Sequence, residues 1–221
     1  MLTSQSHYRR LSTKGDSTWI KMYKQAIFGY TPMRQRALNI MIILGIDPGT
    51  QITGYGFIRK EPSHILALDY GCIRPPHALP LAERYRIIYE SLVIIIDQHK
   101  PDIIAVESQF VLKNPQTAIK LGMAKGMAIL AAAQRGIPVF EYAPTRAKMA
   151  VVGNGHASKW QVQKMIQILL HLPTPPEPED AADALALAIC HAQTGNNLCT
   201  NQFGVRSKTK RPTKRSLSAG E

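Results

Sequence analysis

Cysteine is scarce. The 221 residues hold three, Cys72, Cys190 and Cys199, an odd number with no ligand-like spacing. A disulfide framework and a thiolate metal knuckle are thereby excluded, and a reducing compartment is expected, which places the chain in the cytoplasm. Long apolar runs are missing too. The longest candidate, "SLVIIID", falls far short of the roughly 18 residues that a membrane helix needs. No internal repeat is visible, and no Ser/His/Asp constellation points to a covalent hydrolase. Acids are nearly absent from both ends. Residues 1–40 carry seven Lys/Arg and one acid, and residues 196–221 carry six and one. The stretch between them holds fourteen basic and thirteen acidic residues, so the net charge of +12 lies almost entirely in two tails. Such tails either attract a polyanion such as nucleic acid or are simply solvated.

Three segments follow from this reading. Residues 1–40 form a basic N-terminal extension with no clean period and no secretory core, read either as a disordered, dispensable arm or as a misassigned start ahead of Met41. Residues 41–195 form the folded domain, and residues 196–221 a basic flexible tail. Within the domain, "MIILGI" reads as a short buried strand. "TGYGFIRK" and "SHILALDYGCIR" follow it as an antiparallel meander. Leu81, Tyr85, Ile88, Leu92 and Ile95 then recur at helical spacing. "DIIAVE" is a buried strand. A second helix follows, with Asn114 as N-cap, Pro115 in its first turn and Gly136 closing it. "IPVFEYA" is a strand, and "SKWQVQKMIQILLHL" a helix capped by Ser158. "PTPPEPE" stops that helix, and "DAADALALAICHA" begins the last one. The order βββ-α-β-α-β-α-α describes an α/β fold: a mixed five-stranded sheet with helices on both faces.

Two carboxylates stand at strand ends, Asp47 after "IILGI" and Glu107 after "DIIAV". Both fall at the carboxyl edge, where open α/β sheets hold ligands. If strands one and four are neighbours, these two acids share one ion's reach. Asp180 and Asp183 lie three apart and so share a helix face, where they either answer the helix dipole or aim at the same edge. Four converging carboxylates repel unless cations intervene, and an all-oxygen set suits Mg²⁺ or Mn²⁺. The rival reading makes "DPGT" a phosphate cradle. Gly45, Gly49, Gly54 and Gly56 either let a nucleic-acid backbone approach closely or make tight turns. Trp160 reads as a helix-packing residue, with stacking on a base as the lesser alternative. His156 and His191 read as surface or packed histidines. Gly122 and Gly126, four apart, read as a site of close helix packing.

Five segments, "ILGIDPGTQITGYGFI", "IIAVESQF", "KLGMAKGMAI", "VVGNGHASKWQV" and "EDAADALALAICH", together resemble the RuvC family of crossover junction endodeoxyribonucleases. The resemblance runs from Met41 to about Ala192 and implies a ribonuclease H-like fold. It also implies a homodimer that cuts symmetric strands of four-way (Holliday) DNA junctions in recombination and repair, leaving 5′-phosphates. Asp47, Glu107, Asp180 and Asp183 map onto the family's four catalytic acids, which hold two Mg²⁺ ions per site, with Mn²⁺ as a substitute. Phe110 matches an aromatic that stacks on unpaired bases at the junction centre. Lys148 and Lys159 match basic positions expected to contact phosphate, with Lys113 and Lys120 as further candidates. The RuvA and RuvB branch-migration proteins are implied partners.

Two other functions compete. One is an actin-like ATPase or sugar-kinase-type domain, but that architecture needs a second phosphate turn, and no second "DxGT" occurs. The other is a ribonuclease H-like nuclease acting on another structured nucleic acid. A purely non-catalytic nucleic-acid-binding module is disfavoured by intact acids at all four positions.

Overall fold

The computed structural model describes residues 40–108 and 115–194. Strand β1 (Met41–Asp47), β2 (Thr53–Lys60) and β3 (Ile65–Ile73) form the expected antiparallel meander. Helix α1 (Leu81–His99) crosses to β4 (Ile103–Glu107), which pairs with β1 in parallel. Helix α2 (Pro115–Ala133) leads to β5 (Val139–Tyr142), parallel to β4. Then come α3 (Pro144–Val152), α4 (Lys159–Leu169) and α5 (Glu179–Thr194). The sheet order is β3-β2-β1-β4-β5.

The central strands are apolar on both sides because helices cover both. On one face, Leu44, Ile46, Phe57, Ile104 and Val106 pack with the α1 and α2 residues Ile88, Leu92, Ile96, Ala128 and Ala131. On the other, Ile43, Ile58 and Ala105 meet Ala147 and Val151 of α3, Val162 and Ile166 of α4, and Leu185 and Ile189 of α5. The α1 stripe is completed by Ile96, fully buried, rather than by Ile95. Pro115 opens α2 as expected. Asn114, its expected cap, lies outside the described residues. Gly136 follows the end of α2, its N–H donating to the Ala133 carbonyl at 3.1 Å. Among the described residues, no helix is long and apolar enough to cross a membrane.

The sequence reading misses one element. Helix α3 spans only nine residues and buries only Ala147 and Val151, too short a stripe to register as a period. Its usable signal is Pro144 at the first helical position.

The glycine reading needs correction. A Cβ on Gly45 would sit 1.8 Å from the Ala184 carbonyl oxygen, and one on Gly54 would sit 2.0 Å from that of Asp180. These glycines let α5 lie directly on β1 and β2, so the space belongs to the protein's own helix and not to a nucleic-acid backbone. Gly56 likewise faces Leu185, while Gly49 serves the turn, where a Cβ would meet the Ile52 carbonyl.

Candidate active site

The close seating of α5 decides where the acids go. Asp47 is the last residue of β1 and Glu107 the last of β4; because Ile46 is in register with Val106, the two carboxyls emerge side by side. Helix α5 begins over the same edge. Asp180 lies in its first turn, with its backbone over Gly54, the residue that pairs with Asp47. Asp183 follows one turn later, half-buried.

The charges register this crowding. Burial pushes the Asp47 carboxyl up to about 8, reinforced by the charge of Glu107, a hydrogen bond to it, and the charges of Asp183 and Asp180. Glu107 is raised by burial and by Asp183, while its bond to Asp47 and the charge of Lys125 pull it back. Burial raises Asp183 as well, opposed by Lys159 and Lys148 and reinforced by Asp180 and Glu179. Asp47 with three further carboxylates whose charges reach it forms a set that a hard cation would relieve, and their all-oxygen chemistry fits Mg²⁺ or Mn²⁺. Among the described residues, no three His, Cys, Asp or Glu side chains are already gathered closely enough to ligate one ion. The fit therefore rests on the donor chemistry and mutual repulsion, not on a preformed cage.

The turn that leaves Asp47 is braced from two sides. The Thr53 hydroxyl donates to the Gly49 carbonyl at 2.7 Å and accepts from the Gly49 N–H at 3.3 Å. From α1, an Arg84 guanidinium nitrogen donates to the Thr50 carbonyl, while its Nε is buried without a partner among the described residues. Sequence reasoning did not single out Arg84, nor Lys125 of α2. The Lys125 ammonium is nearly buried and lies 2.5 Å from the Glu141 carboxylate on β5. Glu141 is in register with Val106, next to Glu107. Neither role was legible, because a lysine in mid-helix and an arginine one turn into another helix carry no local mark. Cys72, in register with Gly54, lies near Asp180; burial first, then that charge, pushes its thiol up to about 11.

The candidate DNA-binding residues divide. Lys148 is half-buried, and its ammonium donates to the Ala157 carbonyl at 3.1 Å. Lys159 is exposed and pairs with Glu179 at 2.5 Å, which raises its pKa. Both lie within electrostatic reach of Asp183. Lys120 is exposed on α2, and its backbone carbonyl accepts from the Tyr85 hydroxyl at 3.0 Å. Phe110 and Lys113 lie outside the described residues. His156 is exposed, and His191 packs between Phe140 and Tyr142, its Nδ1 2.7 Å from the Tyr142 hydroxyl. Burial lowers the His191 pKa to about 4, so it serves as a neutral, half-buried packing group. Trp160 corrects the reading: it is 66% exposed and does not pack into the helix layer.

A mixed sheet in the order 3-2-1-4-5, with acids at the ends of its two central parallel strands and a further pair on a helix crossing that edge, is a ribonuclease H-like nuclease architecture. The family model described as crossover junction endodeoxyribonuclease RuvC matches residues 43–191. The crossover junction endodeoxyribonuclease RuvC of Protochlamydia amoebophila is 61% identical over 155 residues, covering 70% of this chain and 92% of that protein. That of Chlamydia caviae is 51% identical over 168 residues, covering 75% and 98%. The structure of Thermus thermophilus RuvC in complex with a Holliday junction substrate superposes with a TM-score of 0.66 at 34% identity, covering 69% of this chain and 93% of that one. The chain belongs to the RuvC family. Membership implies dependence on a divalent metal in general terms.

Proposed function

We propose that this protein resolves four-way DNA junctions by paired symmetric nicks, hydrolysing one phosphodiester on each of two opposed strands and leaving 5′-phosphate ends. Asp47, Glu107, Asp180 and Asp183 are the catalytic acids and the metal ligands. Two bound Mg²⁺ ions, or Mn²⁺ in their place, would supply activation of an attacking water and stabilisation of the departing 3′ oxygen. Asp47 must shed its proton to serve as a ligand, and the acids crowded around it favour exchanging that proton for a cation. Lys148 and Lys159 flank Asp183 and supply positive charge for the phosphate. Phe110, Lys113 and Lys120 contact the DNA beyond the reacting bond. The working unit is a cytoplasmic homodimer, as two symmetric cuts require two centres, and RuvA and RuvB are its branch-migration partners. The domain spans residues 41–195 between two basic extensions.

The observation that carries this reading is the pairing of Asp47 with Glu107 at one sheet edge, under a helix that brings the charges of Asp180 and Asp183 within reach of Asp47. The test is a synthetic four-way junction incubated with the full chain, with and without Mg²⁺, beside linear duplex and RNA–DNA hybrid controls. Paired nicks on the junction alone, requiring the metal, are expected. Asp47→Asn should keep junction binding and lose cutting. Preferential cutting of the hybrid would transfer the reading to a different ribonuclease H-like nuclease.

A further inference from the structure

Helix α4 carries a face that the other described residues leave uncovered. Its sequence, KWQVQKMIQIL, has two lysines and no acid. Val162 and Ile166 turn into the core, and Ser158 fixes the first turn through a capping box with Gln161. That leaves Trp160 and Ile168 pointing outward, 66% and 65% exposed. Between them the Lys164 ammonium sits 6.0 Å from the Trp160 ring centroid and 3.4 Å from the Gln167 side-chain oxygen. Residues 160, 164 and 168 follow one another at four-residue steps, so they form a continuous stripe about 12 Å long, the rise of three to four nucleotides along one DNA strand.

Position gives the stripe its meaning. Lys159, the residue before Trp160, lies within reach of Asp180 and Asp183 and is paired with Glu179. Trp160 stands about 100° further round the same helix, on the solvent side. A large indole exposed at the rim of a site is a poor solvating residue, and an acid-free helix that carries Lys159 and Lys164, with Lys148 beside its start, invites a polyanion. Resting on the function proposed above, we infer that the Trp160–Lys164 stripe is a docking strip for the sugar–phosphate backbone of the junction arm that leads into the cut. Bases within a duplex arm are already stacked, so the indole packs on deoxyribose while Lys164 meets the neighbouring phosphate. The strip sets which arm is held against the acidic centre.

The chain's two tryptophans, Trp19 and Trp160, allow a direct test. The full chain with Trp19→Phe and Asp47→Asn holds Trp160 as its sole indole and keeps the junction uncut. A fluorophore on the DNA reports binding, and acrylamide quenching reports the indole. Saturation with a four-way junction should lower quenching at least about twofold, and Trp160→Ala should weaken junction affinity about fivefold, with Trp160→Phe retaining most of it. Binding at full strength with the indole as accessible as in free protein would overturn the inference. So would protection that rises with protein concentration and no DNA, since that assigns the face to a second copy. If the labelled junction fails to bind at all, the proposed function falls and the strip with it.

Discussion

Asp47 and Glu107 share a hydrogen bond across the parallel β1–β4 pair, and the bond favours a proton on Asp47 while easing charge on Glu107. The arrangement follows from two strands ending level at one edge. It also makes that edge a proton store when no cation is bound.

The first prediction concerns pH. The Asp47 pKa stands near 8 in the fold against an ordinary 3.8. Between those values the folded chain holds a proton that the unfolded chain has released. Stability of the cation-free protein should therefore fall as pH rises through that window and level off above it. Urea midpoints in EDTA across the window should show the decline. Asp47→Asn should flatten it and leave the cation-free protein more stable at the alkaline end. Adding Mg²⁺ should restore stability to the parent chain and not to the variant.

The second prediction separates two kinds of glycine. Gly45→Ala places a methyl 1.8 Å from the Ala184 carbonyl, backbone that cannot yield without lifting α5. The expected cost is about 3 kcal/mol or more, with loss of cutting as Asp180 and Asp183 move. Gly122→Ala meets nothing among the described residues within 4 Å and should stabilise the fold by about 1 kcal/mol through helix propensity. Thermal melts of the two variants check both signs. A drop in dimer affinity for Gly122→Ala without a drop in fold stability would mark α2 as the contact between copies.

These contrasts show what the chain makes legible. The strands announce themselves as apolar runs, and Asp47 and Glu107 stand out because each ends such a run. Ser158 was readable because a cap is a local event. The neighbours of Gly45 and Gly54 were not, since what crosses a strand is decided by a helix over a hundred residues further along. Trp160 was misjudged for the same reason: its four-residue spacing to Lys164 fits a buried or an exposed stripe equally, and only the burial of Val162 and Ile166 fixes which side faces out.

The third prediction concerns Arg84, which grips the Thr50 carbonyl from α1 and so braces the turn beyond Asp47. Its Nε is buried with no partner among the described residues, so its replacement by an apolar chain of similar length relieves one cost while removing one bond. Arg84→Met should change fold stability by no more than about 1 kcal/mol. Single-turnover cutting should fall about tenfold or more, because support behind a ligand typically matters on that scale. Equal loss of junction binding would instead mean that Arg84 touches DNA.

The fourth prediction concerns Lys125. Its ammonium is 12% exposed and paired with Glu141 at 2.5 Å, so it is poorly placed to reach DNA directly. Its charge opposes the burial that raises Glu107. Lys125→Met removes that opposition, so Glu107 should hold its proton to higher pH. The acidic limb of the pH–rate profile, measured at limiting Mg²⁺, should move in the alkaline direction. Lys125→Arg keeps the charge and should leave the limb in place. Glu141→Gln offers the discriminating control: it weakens the ion pair but keeps the cation, so a limb that stays put while stability drops assigns the effect to charge at Glu107. If Lys125→Met lowers the rate equally at every pH, its role is to hold α2 against β5 and the electrostatic account is wrong.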